Sequence, residues 1–375
     1  MPMPGPVVPA PAGKALLILL LLVGLPVIPA HAIAQEQFPQ FEDVAARAAA
    51  ARDQGNLPLA IELYGQAEQL KPDWAEGWFY LGLLQYSSDH FTQGIEAFNH
   101  LLQLQPNAPP AMALRGLCEF ETGAYDDALR DLDEGVQKGA ANEPRNEQII
   151  RYHLAQLLAR AGRFEDALLQ YQFFGAKHID DTDILLGVGL AGMRNTTLPK
   201  DVPAGSREFL IAAGSAGYVF LSGDSRQADE LFNQLFVRYP TVPNLHFFYG
   251  TLLFMHGPEL AIPQFQSEVA IAPSNPAAHA ILAYSLMYAG RFAEARPEAE
   301  LAVAGAPDME MALIALGRSL AETGDPDRAA EVLNQVLKRD PNDLEAHMGL
   351  AVMYTRTGRR EEAYRERMVC LGLRK

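Results

Sequence analysis

Apolar residues recur along this chain at helical spacing, in runs of about fourteen residues that come in twos. Residues 75–107 show the unit. A first run carries Trp78, Leu81 and Gly82, a break follows at Ser87, Ser88 and Asp89, and a second run carries Ile95, Phe98 and Leu101. Pro106 closes the unit, because proline lacks the N–H that continues a helix and pushes its predecessor out of the α region. Helices this short are marginal in water without a packed apolar face. Each pair therefore needs neighbours, and the pattern predicts an all-α chain built from copies of it.

The copies show as a ladder of glycines. Gly55, Gly123, Gly162, Gly223, Gly257, Gly290, Gly324 and Gly358 each fall in the break between two runs. The last five are 34, 33, 34 and 34 residues apart, and Asp89 stands on the rung missing between Gly55 and Gly123. A helix end that turns through the left-handed region favours glycine, where a side chain costs energy. Five residues past most rungs comes a small residue (Ala60, Gly94, Ala128, Ala167, Ala228, Ala295, Ala329, Ala363), which predicts a close approach of the second helix to the first. Prolines at 72, 106, 240, 273, 307 and 341 close units. A fixed period of this length is the signature of a repeat array rather than a globular domain.

The unit resembles the tetratricopeptide repeat. Trp78, Leu81, Gly82, Phe98 and Pro106 match its motif, and Leu316, Gly317, Ala329 and Pro341 match it again near the C-terminus. Nine units begin near Phe41, Ala75, Pro109, Gln148, Phe209, Pro243, Pro276, Glu310 and Leu344. The resemblance implies a right-handed superhelical solenoid of antiparallel helix pairs with a concave inner face. It also implies a role in holding partners rather than in chemistry. In the family the second, fifth, ninth and twelfth places of each unit line that face. Here they hold Phe79, Leu83 and Tyr86, then Leu117 and Phe120, then Tyr152 and Gln156, then Leu210 and Phe220. Phe247, Phe254, Tyr284, Met287, Met311, Ile314 and Arg318 follow. A groove aromatic and largely uncharged is expected. The basic-and-asparagine clamp of some relatives is absent, with Ala45 and Ala49 in the first unit instead.

The array is interrupted once, near residues 177–208. Residues 180–194 read as a single extra helix that Asp180, Asp181 or Thr182 can cap, with Gly187, Gly189 and Gly192 inside it. A polar loop with prolines follows to Gly205. A helix without a partner upsets the alternation of first and second helices, so the segment reads either as an eroded repeat or as a hinge. The organisation is then a leader over residues 1–32, units one to four over 33–176, the extra helix and loop over 177–205, and units five to nine over 206–375.

The leader changes the compartment. Lys14 precedes an apolar run from Ala15 to Leu25, and Ala30 and Ala32 supply small residues for cleavage. A charge, a short apolar stretch and a small-residue site describe a secretory signal better than a membrane span. The expected location is periplasmic or extracellular, with an anchored form if the segment stays uncleaved. Nothing else in the sequence offers the membrane a span.

Charge narrows the partners. The formal net charge is −16, and no cluster of Lys and Arg offsets it. Polyanions are repelled, which excludes nucleic acid and disfavours anionic membranes. Hydrophobic residues make up 49% of the chain, ample for a continuous core. Two cysteines, Cys118 and Cys370, lie six repeats apart, too far in a stacked array for a disulfide. His246, His279 and His347 share the place of Trp78 in their units. A metal needs its ligands converging on one point, whereas these sit in different units and read as core. No metalloprotease, phosphate-loop or nucleophile-elbow motif occurs, and no cofactor or metal is expected. The sequence thus reads as a non-catalytic scaffold for a protein or peptide partner. The alternatives are an anchored accessory of an envelope assembly or secretion machine, and a helper of an enzyme complex.

Overall fold

The computed structural model describes residues 39–142 and 144–373; the leader expected over residues 1–32 lies outside them. Among the described residues there are nineteen α-helices and no strand. The chain divides into two compact units, one running to Ala161 and the other beginning at Gly162.

The first unit holds three helix pairs and a closing helix. The pairs are α1 (Pro39–Asp53) with α2 (Leu57–Leu70), α3 (Ala75–Ser87) with α4 (Phe91–Leu104), and α5 (Pro109–Thr122) with α6 (Tyr125–Gln137). α7 (Pro144–Arg160) packs on α5 and α6. The second unit opens with α8 (Phe164–Ala176), α9 (Thr182–Gly192) and α10 (Ala204–Leu221), followed by α11 (Ser225–Arg238). Four pairs then follow: α12 (Leu245–Phe254) with α13 (Pro258–Ile271), α14 (Pro276–Tyr288) with α15 (Phe292–Gly305), α16 (Glu310–Thr323) with α17 (Pro326–Leu337), and α18 (Leu344–Arg356) with α19 (Arg360–Leu373). The helical repeat frame expected from the 34-residue period is present.

All eight ladder glycines lie between consecutive helices. Seven turn through positive φ, from +73° at Gly55 to +94° at Gly223. Asp89, on the missing rung, takes φ +60°. Gly257 departs from the expectation: its φ of 161° is extended backbone that any residue adopts, so this rung does not require glycine.

The close crossing is built at the eighth place of a unit. A Cβ on Gly82 would lie 2.7 Å from the Phe98 ring, and one on Gly116 would lie 2.9 Å from Leu132. Gly250 meets Phe265 and Gly317 meets Leu333 in the same way. A fully buried second-helix side chain thus fills the space left by the missing one. The small residues five places beyond the rungs are buried too, Ala60, Ala128, Ala167, Ala228, Ala295 and Ala329 completely.

The fourth place explains the histidines. Trp78 donates its indole N–H to the carbonyl of Pro72 at 2.9 Å. His279 Nε2 lies 2.9 Å from the Pro273 carbonyl, and His347 Nε2 lies 3.0 Å from that of Pro341. In each case a ring nitrogen ties a first helix to the proline that closed the preceding repeat. The other ring nitrogen faces a carboxylate, Glu298 at 2.6 Å and Glu366 at 2.5 Å. Both histidines are buried, and their nitrogens are used in holding repeats together. His246 differs: it stacks on Phe236 at 3.9 Å and bonds Gln264.

The interruption is packed into the second unit. α9, capped by Asp181 through the Asp183 N–H at 2.8 Å, lies closely along α10 and touches α8 and α12. Its glycines are the reason it can. A Cβ on Gly189 would fall on the Leu210 carbonyl oxygen, and one on Gly214 of α10 would fall on that of Leu185. Gly192 and Gly217 hold the Phe248 ring between them, and Gly187 receives Tyr171. The expectation of a helix lacking a partner is therefore corrected: α9 partners α10. α10 also begins at Ala204, slightly before the boundary expected at residue 206. The intervening loop is pinned by buried Leu198 and Val202 and by Arg207 donating to the Pro199 carbonyl at 3.2 Å.

Candidate functional site

In a repeat architecture of this kind the surface of interest is the face presented by first helices. In the first unit Phe79, Tyr86 and Tyr152 are half-buried, while Leu83, Leu117 and Phe120 are buried. Phe79 sits edge-on to Phe98 at 6.5 Å. Tyr86 packs against Phe91 at 5.8 Å, and burial, then Glu121, pushes its phenol pKa upward. Phe120 is enclosed by Tyr125 at 5.6 Å and His153 at 4.7 Å. Cys118 lies behind them, its thiol raised to about 12 chiefly by burial, which leaves it a packing residue rather than a nucleophile.

In the second unit Phe220, Phe247 and Met287 are buried, and Leu210 and Ile314 with them. Phe247 is covered by the Arg194 guanidinium, 4.7 Å above its ring, and by Phe265 at 5.6 Å. Leu83, Leu117, Phe120, Phe220, Phe247 and Met287 are thus core side chains, and their expected exposure in a groove is corrected. Register alone placed them there. The bulk of neighbouring helices at those places, set by residues such as Phe265 and His153, encloses them.

Phe254 and Tyr284, half-buried against the core of the second unit, run on to the exposed Tyr288. The rings of Phe254 and Tyr284 are 6.2 Å apart and those of Tyr284 and Tyr288 are 5.0 Å apart. Tyr288 is 47% exposed. The row ends on Glu345, whose Oε1 accepts the Tyr284 hydroxyl at 2.9 Å and the Tyr288 hydroxyl as well. Its Oε2 is buried with no hydrogen-bond partner. Burial first, then the bond to Tyr288 and the Glu345 carboxylate, raises the Tyr284 phenol pKa; burial, then the bond to Glu345, raises that of Tyr288. Arg318 lies 6.0 Å over the Tyr288 ring. Nearby Glu310 has a raised pKa through burial, then Asp343, Asp340 and Glu345. This end of the face is charged, against the expectation of a largely uncharged groove. Sequence reasoning missed Tyr288 and Glu345. Glu345 occupies the second place of the ninth unit, one of the family's inner-face places, so its signal was available; Tyr288 is at a thirteenth place and had none.

One acid in the first unit is buried without a donor. Neither oxygen of Glu68 has a hydrogen-bond partner, and the side chain rests against Gly77 and Trp74. Burial, then the charge of Asp73, raises its pKa to about 8. A carboxyl held protonated by the fold stabilises fully below its unfolded pKa, and that contribution is lost as pH rises from about 4.5 through 8. Glu68→Gln is therefore expected to raise the melting temperature at pH 8 and to change little at pH 4, with roughly 2–4 °C for each kcal/mol relieved. Equal melting of both proteins across that range would contradict this.

No group of three or more His, Cys, Asp or Glu suited to a metal occurs among the described residues. No described helix is long and apolar enough to cross a membrane.

Comparison with known proteins follows the same repeats. Tetratricopeptide repeat profiles match residues 84–144, 314–366 and 149–168, and a TPR repeat profile matches residues 49–89. A TPR repeat-containing protein of Methanocaldococcus jannaschii is 27% identical over 136 residues, which are 36% of this chain. The match spans only 23% of that relative's length. Among solved structures, MamA from Desulfovibrio magneticus is similar over 44% of this chain and 93% of its own, at TM-score 0.39 and 18% identity. Yeast Tom70 is similar over 90% and 93%, at TM-score 0.30 and 13% identity. These scores carry no argument about function.

Proposed function

Because the chain is a tetratricopeptide repeat protein, we propose that it is a non-catalytic scaffold that holds a protein or peptide partner along the concave face of its first helices. The observation that carries this reading is the row Phe254, Tyr284 and Tyr288, which reaches the surface at Tyr288. Exposed aromatic surface on a strongly acidic protein is the kind of patch that marks a partner site. Phe79, Tyr86 and Tyr152 offer a smaller area in the first unit.

The double variant Phe254→Ser, Tyr288→Ser tests this. Capture of the partner from the native host is expected to fall tenfold or more, about 1.4 kcal/mol, while helical content and melting stay nearly unchanged. Capture equal to that of the unchanged protein would overturn the proposal. So would melting several degrees lower, since the rings would then be core.

Export belongs to the same proposal: the partner would be met outside the cytoplasm after cleavage behind Ala32. Its support is the charge, short apolar run and small residues of residues 14–32. N-terminal sequencing of the protein from its host is expected to start at Ile33. A soluble cytoplasmic protein starting at Met1 would contradict it.

A further inference from the structure

A second acid of the first unit is buried among charges that do not balance it. Glu119 of α5 is 7% exposed, and its Oε2 is buried with no hydrogen-bond partner. Its Oε1 lies 3.8 Å from Arg115 Nε, one helical turn back and beyond hydrogen-bond reach. Arg115 is engaged elsewhere. Its Nε donates to Asp131 of α6 at 2.5 Å, and its Nη1 donates to the side-chain oxygen of Asn99 in α4 at 2.7 Å. One guanidinium thus ties the two helices of the third repeat together and ties them to the second repeat. Asp131, 2% exposed, has a second cation in Arg130, Nε to Oδ1 at 3.4 Å. Arg130 also pairs with Asp127 at 2.7 Å.

Counting charges decides the state of Glu119. Arg115 and Arg130 meet Asp131 and Asp127, two against two. An ionised Glu119 makes three carboxylates to two guanidiniums, in a place where an unpaired charge is costly. Burial first, then Asp131, raises its pKa from 4.5 to about 7, against the pull of Arg115. The other elements packed on α5 bring no charge that changes there. α4 presents the neutral Asn99, and the turn at residues 140–142 has no ionisable group. α3 presents Tyr86, its phenol pKa raised by burial. α7 sets His153 against Phe120, its pKa lowered by burial. Neither changes charge as pH climbs through 7.

We propose that Glu119 and Arg115 form a proton-driven switch at the joint between the second and third repeats. With Glu119 protonated, Arg115 clamps Asp131 and Asn99 as the structure shows. When the proton leaves to solvent, the cation already beside Glu119 is Arg115, whereas Asp131 keeps Arg130. Arg115 then turns to Glu119, its bond to Asn99 breaks, and α5 loosens on α4. Between pH 4.5 and 7 the folded chain holds a proton that the unfolded chain has given up. The joint is therefore firmest below 4.5, and that stabilisation is gone above 7. α5 also touches α3 and α7, the helices of Phe79, Tyr86 and Tyr152, so the joint sets the spacing of those rings. The switch itself does not depend on a partner lying there.

Cys118, fully buried beside Glu119 in α5, reports the opening of the joint. Its alkylation by iodoacetamide in the full chain is followed by mass spectrometry of its peptide. Each rate is divided by that of the urea-unfolded chain at the same pH. Every protein carries Glu68→Gln, which removes the titration of the other buried acid. In this parent, labelling is expected to rise about tenfold or more from pH 5.5 to pH 8 and to level off above 7. Glu119→Gln, neutral at every pH, is expected to stay at the slow rate throughout. Asn99→Ala is expected to speed labelling roughly fivefold or more at pH 5.5 and to change little at pH 8, where Arg115 has already let go. An asparagine that merely supports the fold would act equally at both. A parent rate independent of pH, a rise that survives Glu119→Gln, or equal effects of Asn99→Ala at the two pH values overturns the proposal. If circular dichroism shows that Glu119→Gln has lost helix, carboxyl carbon-13 NMR of Glu119 in the parent decides. A midpoint near 7 is expected, and one below 5.5 overturns the switch.

Discussion

Gly214→Ala is expected to destabilise the second unit by more than about 3 kcal/mol, at or beyond the upper end of ordinary overpacking. Intrinsic propensity points the other way, since alanine in a helix interior is worth roughly 0.5–1 kcal/mol over glycine. Sterics decides the sign. A methyl group at Gly214 would occupy the position of the Leu185 carbonyl oxygen and press on the Gly189 backbone, and neither is the movable end of a side chain. α9 and α10 would have to separate, exposing Phe248 and Tyr171. Gly205→Ala supplies the control, because a Cβ there meets nothing within 4 Å; it is expected to be neutral or mildly stabilising. Urea unfolding of the two variants measures the contrast. A Gly214→Ala protein as stable as the unchanged one would show that the two helices do not cross at this point.

Glu268→Ala is expected to cost about 3 kcal/mol or more, for a reason opposite to that at Glu68. Glu268 is fully buried in α13, and its two oxygens accept the backbone N–H groups of Asn244 at 2.7 Å and Phe247 at 3.1 Å. Asn244 takes φ +70° at the start of α12 and donates its side-chain amide to the Met193 carbonyl at 3.3 Å. The carboxylate therefore caps a helix N-terminus whose donors have no other partner, and it lies at the positive end of the helix dipole. Removing it strands two buried donors, at roughly 1–3 kcal/mol each. Glu268→Gln keeps the shape but sets an amide N–H against a donor, so it too should destabilise, whereas Glu68→Gln should stabilise at pH 8. Melting of the two glutamine variants side by side reads out the difference. Shifts of the same sign would refute the assigned roles.

Most of the architecture was legible because its devices are local. The 34-residue rungs, the small residue five places on and the closing proline each act within one helix pair, and the sequence displays all three. Asp89 was placed on the ladder by spacing alone, and its positive φ follows. The extra helix was found too, with Asp181 among its possible caps. Its partner was not, since the match of Gly189 to Leu210 and Gly214 to Leu185 joins segments about 25 residues apart that share no periodic relation. Gly257 was misread because the period marks where a turn lies and not which φ it takes.

The candidate site was only half legible. Inner-face places are defined by register, but exposure is set by how bulky the neighbours are. Phe120 disappears under His153 and Tyr125, and Phe247 under Arg194 and Phe265. Tyr284 is half-buried between Phe254 and Tyr288, and the row reaches the surface only at Tyr288. The polar end of the row arises from Glu345 meeting tyrosines 57 and 61 residues earlier. That encounter depends on three repeats stacking in order, which no single unit reveals.

The central claim is that a partner lies along the first-helix face, and site-directed photocrosslinking tests it most directly. A benzophenone side chain is placed in turn at Tyr288, at Phe254 and at Leu301, the last 53% exposed on the second helix α15. After irradiation in the native host, one and the same protein is expected to be joined at positions 288 and 254 and to be absent at 301. A partner joined at 301 and at neither inner position would contradict the account.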